Sequence, residues 1–324
     1  METRYKLAIV NPYYGKLPNL FPYWLKTCSY NPTIDWFVFT DDERAFDGTF
    51  DKAKPENVRF VRSSLNQVKA RIEKIVHFDI PLYRPYKICD YRPAYGLIFK
   101  EYLVGYDFWG YSDLDVLFGN LRKFVTEEKL DRYDRIYTNG YLSFYRNTEE
   151  VNNWFRTLSV RTGREVWEEV FSTEQNWEFD EWAGHRGGGI TQIIEDNNKP
   201  MYMVKDWANI VPRYGQLCYN DHGIDAKNVY FRICKDGAFA YDEKTKKYIE
   251  EVSFVHFFKR PLRTLCGWEA EEYYCLAPNI LCGRFRRMGI KILAYHLKNK
   301  TVFDVRRYIG KKLEPIKKKW SLSR

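Results

Sequence analysis

The residues best placed to do chemistry lie in Phe108–Gly119, FWGYSDLDVLFG, where Asp113 and Asp115 alternate with apolar Leu114 and Val116. In extended backbone successive side chains point to opposite faces. The spacing therefore predicts both carboxylates on one side and Leu114 and Val116 in the core. Two carboxylates at the end of a buried strand are costly unless a cation neutralises them. A hard divalent ion, Mg²⁺ or Mn²⁺, held by few carboxylates commonly completes its shell with phosphate oxygens. A bare D-x-D also marks solvated turns and ion pairs, and it is the apolar flanks that favour a metal site here.

Positioning such a pair requires strands. Lys6–Asn11 reads as a buried strand, Asn19–Ser29 as a helix, Asp35–Thr40 as a second strand ending at Asp41, and Val58–Val61 as a short third. Leu65–Val76 has helical spacing with Ser63 or Ser64 as N-cap, and Ala94–Tyr102 predicts a helix starting after Pro93. Phe108–Tyr111 then delivers the aspartates. Arg135–Asn139, Tyr141–Tyr145, Lys199–Val204, Val229–Ile233 and Phe254–Phe258 read as strands, Val151–Leu158 and Glu165–Phe171 as helices. Alternating strands and helices imply a mixed, mainly parallel α/β sheet, whose ligands gather at the carboxyl ends of strands. No G-x-G-x-x-G or Walker A follows the first strand, which disfavours dinucleotide and P-loop sites.

Aromatic residues make up 18% of the 324 residues, too many for a disordered chain and enough for stacking surfaces. The seven cysteines lack any C-x-x-C pair, which argues against a zinc site or disulfide framework and for a reducing compartment. The N-terminus shows no signal-peptide pattern and no run reaches transmembrane length, so a cytoplasmic protein is expected. The net charge of +9 is uneven: residues 284–324 carry +12, leaving −3 for the remainder. That stretch mixes Lys and Arg with residues such as Ile290, Leu293, Tyr295 and Trp320. It reads either as a basic amphipathic helical tail on an anionic membrane surface, peripheral on the inner face, or as a solvated helix packed on the body. No nucleic-acid module precedes it, so no nucleic-acid partner is expected.

Tyr86–Gly119, YKICDYRPAYGLIFKEYLVGYDFWGYSDLDVLFG, resembles the core of bacterial GT-A-type glycosyltransferases. It is most similar to the uncharacterised glycosyltransferase-like group of capsule and exopolysaccharide loci (DUF6625-like). It is more distantly similar to D-x-D sugar transferases with an S-D-x-x-R element. Lys87, Asp90 and Arg92 stand at its Lys-x-x-Asp-x-Arg-Pro element, and Asp113 and Asp115 at its D-x-D. Asn11–Gly15, Phe39–Asp42 and the late His256–Arg260 (HFFKR) also match, in order, across about residues 5–260.

The resemblance implies a GT-A (Rossmann-like) catalytic domain over 1–283, with a donor half to about 125, an acceptor half beyond it, and a basic tail over 284–324. It implies Mn²⁺ or Mg²⁺ as cofactor, a nucleotide-sugar donor (a UDP-sugar) and a polysaccharide or lipid-linked glycan acceptor. Asp115 would bind the metal; Asp113 would bind it or hold ribose and sugar hydroxyls. His256 is a third candidate ligand, or else a packed core histidine. Lys87, Arg92, Lys259 and Arg260 would meet the diphosphate, and Asp90 would orient Arg92, accept from a sugar hydroxyl or form a plain structural ion pair. Asn11, Tyr13 and Asp41 would frame base and ribose. In the acceptor half, Asp180 or Glu181 is the candidate general base, followed by a glycine run, Gly187–Gly189, suited to a closing loop. Two rivals remain: a nucleotidyltransferase that makes nucleotide sugars, and a non-catalytic glycan- or membrane-binding protein.

Overall fold

The structure, a computed structural model, describes residues 3–210, 219–220, 229–257, 262–276 and 280–285. Lys259, Arg260, Cys218 and nearly all of the basic tail lie outside the described residues. The described chain falls into two compact units. One comprises the residues up to Ala208 with Ile233–Ala238 and Glu251–His256; the other takes the rest.

Apolar runs of five to seven residues, bounded by polar turns, build the first unit's central sheet. Its strands are β1 (Leu7–Pro12), β2 (Ile34–Thr40), β3 (Val58–Arg62) and β4 (Phe108–Ser112). After a short β5 (Val116–Phe118), which leaves this sheet, come β6 (Arg135–Asn139), β7 (Leu142–Arg146) and β8 (Met201–Tyr202). The order is β3-β2-β1-β4-β7-β6-β8. β1 to β4 pair in parallel, β4–β7 and β6–β7 are antiparallel, and β8 is parallel to β6. The expected mixed, mainly parallel α/β architecture is thus what the chain forms. Its effect on position is direct: Asn11, Asp41 and Asp113 all stand at the carboxyl ends of parallel strands.

Helices cover the sheet. α1 (Phe21–Cys28) buries Trp24, which meets Trp36 of β2 and Phe118 of β5 edge-on at 6.4 and 6.1 Å between ring centres. α2 (Leu65–Val76) occupies the expected span and buries Val68, Ile72 and Val76 at four-residue spacing. Ser64 is its cap: its Oγ accepts from Gln67 N–H, and its own N–H donates to Gln67 Oε1 at 2.9 Å.

Several sequence expectations need correction. Ala94–Tyr102 is no single helix. A 3₁₀ helix spans Pro85–Ala94, one α-turn follows at Tyr95–Ile98, and a second 3₁₀ turn covers Lys100–Tyr102. The α-turn does start after Pro93, as expected, but the 3₁₀ helix before it carries buried Lys87, Asp90 and Arg92, whose side chains form ion pairs. Val151–Leu158 divides into turns at Glu149–Asn152 and Trp154–Arg156, and the strand expected over Lys199–Val204 shrinks to β8. After the glycine run an unforeseen helix, Ile190–Asp196, buries Ile190, Thr191, Ile193 and Ile194.

The second unit's described core is small: Tyr230, Leu276, Ile280 and Cys282, with Tyr241, Tyr274 and Phe285 packed on them. No helix among the described residues is long and apolar enough to cross a membrane.

Candidate active site

Asp113-Leu114-Asp115 is the bend by which the chain leaves β4 and enters β5. Leu114 and Val116 are buried and the aspartates are not, which is the alternation expected from the sequence. β5 pairs antiparallel with the strand Phe254–His256, in the register His256↔Val116. That register brings a histidine from the far end of the sequence beside the bend. His256 Nε2 lies 3.4 Å from Asp115 Oδ1 and 3.9 Å from Asp113 Oδ2. One ligand atom from each of the three residues falls within 4.8 Å of the others. The imidazole is buried and stacks on Tyr141 at 4.4 Å between ring centres, 23° from parallel. The Tyr141 hydroxyl accepts from Asn139 Nδ2 (2.6 Å) and Trp207 Nε1 (3.0 Å).

Arg92 links this cluster to the acidic turn near residue 180. Its Nη2 bonds Asp113 Oδ1, and its Nη1 bonds Asp180 Oδ2 and the Gly140 carbonyl at 2.8 and 2.7 Å. The guanidinium lies over the Tyr111 ring at 5.1 Å. Asp180 is 4% exposed, and burial raises its carboxyl to about 7 against the opposing pull of Arg92. Glu181 is also raised, first by burial, although the Gly140 N–H bonded to its Oε1 at 2.6 Å works the other way.

Gly140 is the tip of the β6–β7 hairpin, and its lack of a side chain lets these groups converge. A Cβ there would stand 2.7 Å from Asp180 Oδ2 and 2.9 Å from both Arg92 Nη1 and Glu181 Oε1. A bulge between Ile136 and Asn139, with Tyr137 at φ +66°, redirects the tip toward Arg92. Gly189 plays the matching part below the acidic turn: a Cβ there would meet Glu181 O and Ala183 N at 2.5 Å.

The remaining candidates divide. Asn11 is buried, and its Nδ2 donates to Ser112 O and Oγ at 2.5 and 3.0 Å, tying the ends of β1 and β4. Tyr13 is half-buried, and burial together with the charge of Asp115 raises its phenol. Asp41 is exposed and takes the Gly15 N–H at 2.7 Å. Lys87 and Asp90 do not join them. The Lys87 ammonium is 1% exposed, bonded to Asp90 at 2.8 Å and to the carbonyls of Val170 and Gln175. Asp90 accepts from the Trp177 and Phe179 N–H groups and makes no hydrogen bond to Arg92. Lys87 and Asp90 are three apart on a 3₁₀ helix, where such residues eclipse one another, so they pair together and face away from Arg92.

Sequence reasoning passed over Gly140, Tyr141 and Trp207, whose types are common and whose roles arise only from the bulged hairpin.

A sequence profile for a family of unknown function, DUF6625, matches residues 9–283. No curated protein matches the chain. Among solved structures, mouse xyloside xylosyltransferase 1 in its apo form is 11% identical, with 80% of this chain and 99% of that one covered and a TM-score of 0.42. A galactosyltransferase, LgtC, in complex with donor and acceptor sugar analogues is 11% identical over 78% of this chain and 87% of that one, TM-score 0.37. A cytidylyltransferase from Leptospira borgpetersenii is 14% identical over 53% and 78%, TM-score 0.28.

Proposed function

We propose that this chain, which belongs to the DUF6625 family, is a divalent-metal-dependent glycosyltransferase of GT-A architecture. It would move a sugar from a nucleotide-sugar, a UDP-sugar, to a hydroxyl of a glycan or lipid-linked glycan. The observation that carries the reading is the Asp113–Asp115–His256 cluster at the carboxyl edge of the parallel strands. Two carboxylate oxygens and one imidazole nitrogen suit Mn²⁺ or Mg²⁺, and three protein ligands leave positions for phosphate oxygens. When bound, the ion would offset the charge that develops on a nucleoside diphosphate leaving group.

The chain's own groups take the other roles. Tyr141 holds the His256 ring by stacking on it. Arg92 keeps Asp113 and Asp180 in fixed relation and supplies positive charge beside the metal ligands. Tyr13 and Asp41 flank the strand ends where base and ribose would lie, and Asn11 braces the strands beneath them. Of the two acidic candidates, Glu181 is the one we assign to take the acceptor proton. Its Oε1 is fixed by Gly140 N–H and its Oε2 is left for the proton, whereas Asp180 is more deeply buried and committed to Arg92. Lys259 and Arg260 complete the proposal as diphosphate-binding cations. The basic tail completes it as an anchor to anionic lipid at the cytoplasmic face.

Incubation with a panel of UDP-sugars tests the assignment. UDP release should require Mn²⁺ or Mg²⁺, stop with EDTA, and fall about 10²-fold or more in Asp115→Ala and His256→Ala. Release that ignores the metal and both substitutions would contradict it.

A further inference from the structure

The segment 170–179 carries the chain into the acidic turn, and its backbone polar groups need partners. Four of them find these on one buried ion pair. Lys87 Nζ donates to Val170 O at 2.8 Å and Gln175 O at 2.7 Å. Asp90 Oδ2 accepts from Trp177 N at 2.9 Å, and its Oδ1 from Phe179 N at 3.0 Å. The last of these bonds ends one residue before Asp180. Between them Glu178 sits at φ +59°, a conformation that a non-glycine residue keeps only when its surroundings impose it.

The 3₁₀ winding of Pro85–Ala94 explains how one short helix serves two purposes. At three residues per turn, Lys87 and Asp90 form one row and Tyr86, Cys89 and Arg92 the next. The first row grips the backbone of 170–179, and the second carries Arg92 to Asp180 and Asp113. Burial lowers the Lys87 pKa even with Asp90 beside it, so the pair is expensive to bury. A pair of this cost, whose side-chain bonds beyond itself all end on residues 170–179, fits a role in placement.

We propose that Lys87 and Asp90 are positioning residues: they clamp the segment 170–179 and thereby set Asp180 and Glu181 against the sugar acceptor, without touching the donor. The assignment of Asp180 and Glu181 to the acceptor rests on the function proposed above; the clamp itself does not.

The test compares the full chain with Asp90→Asn, Lys87→Met and the double variant Lys87→Met/Asp90→Leu. The double variant removes the pair without stranding a buried charge. Hydrogen–deuterium exchange should show the Trp177 and Phe179 amides losing protection while β1, β2 and β4 keep theirs. Calorimetric titration of UDP with Mn²⁺ should give an unchanged affinity. Hydrolysis of UDP-glucose or UDP-galactose, expressed per UDP-binding site, should fall about 10²-fold in kcat at constant KM, the loss typical of a reacting group displaced by about 1 Å. Trp177 and Phe179 amides that stay protected in the double variant would overturn the clamp. A drop in UDP affinity with protected amides would move Lys87 and Asp90 into the donor site. Wild-type protein that binds no UDP would defeat the proposed function, while the exchange result would still judge the clamp.

Discussion

Arg92 pairs with two carboxylates through one guanidinium, and its side chain is only 10% exposed. Replacing it leaves Asp180 buried and uncompensated, so Arg92→Met should destabilise the fold by about 3–5 kcal/mol, measured by urea unfolding. Burial has the opposite consequence for Asp180 as pH changes. Its folded-state pKa of about 7 lies above the ordinary 3.8, so the native state binds this proton more tightly than the unfolded chain. The stability it contributes is present below about pH 4 and is lost as pH rises through about 7. Unfolding midpoints between pH 5 and 8 should therefore fall in wild type and flatten in Asp180→Asn. Glu181 must be ionised to accept a proton, and burial raises its carboxyl, so the acid limb of the pH–rate profile for UDP-sugar turnover should lie above the ordinary glutamate range.

At the level of elements, the site depends on a hairpin tip and a 3₁₀ helix more than on the strands that carry its acids. Gly140→Ala forces a methyl against Asp180, Arg92 and Glu181. It should cost about 1–3 kcal/mol of stability and lower turnover more than UDP affinity. The same elements mark what the sequence reveals. Strands β1 to β4 and helix α2 are legible because their apolar periods are regular, and Asp113 and Asp115 because carboxylates amid apolar residues demand a reason. The ion pairs of Arg92 are not legible, since its partner Asp180 lies 88 residues away and only folding brings them together. The pairing of Lys87 with Asp90 is one of the readings open at Asp90, but its grip on residues 170–179 is not legible, since those partners lie more than 80 residues away. His256 owes its place to the register with β5, which no local pattern encodes.

For the whole molecule, charge is divided by position: −3 up to residue 283 and +12 in residues 284–324. Each Lys or Arg near an anionic surface is worth about 1 kcal/mol, so the tail alone could hold the protein to a bilayer. Removing residues 284–324 should abolish flotation with phosphatidylserine vesicles and leave UDP binding unchanged; flotation that survives the truncation would place the contact elsewhere. The proposed function turns on the Asp113–Asp115–His256 cluster, which would hold a divalent ion and, through it, a nucleotide at the sheet edge. Calorimetric titration of UDP and of GDP, with Mn²⁺ and then with EDTA, in wild type and Asp115→Ala, addresses it most directly. UDP binding should be saturable, need Mn²⁺ and disappear in Asp115→Ala. Absence of binding by either nucleotide, or binding indifferent to both EDTA and the substitution, would contradict it.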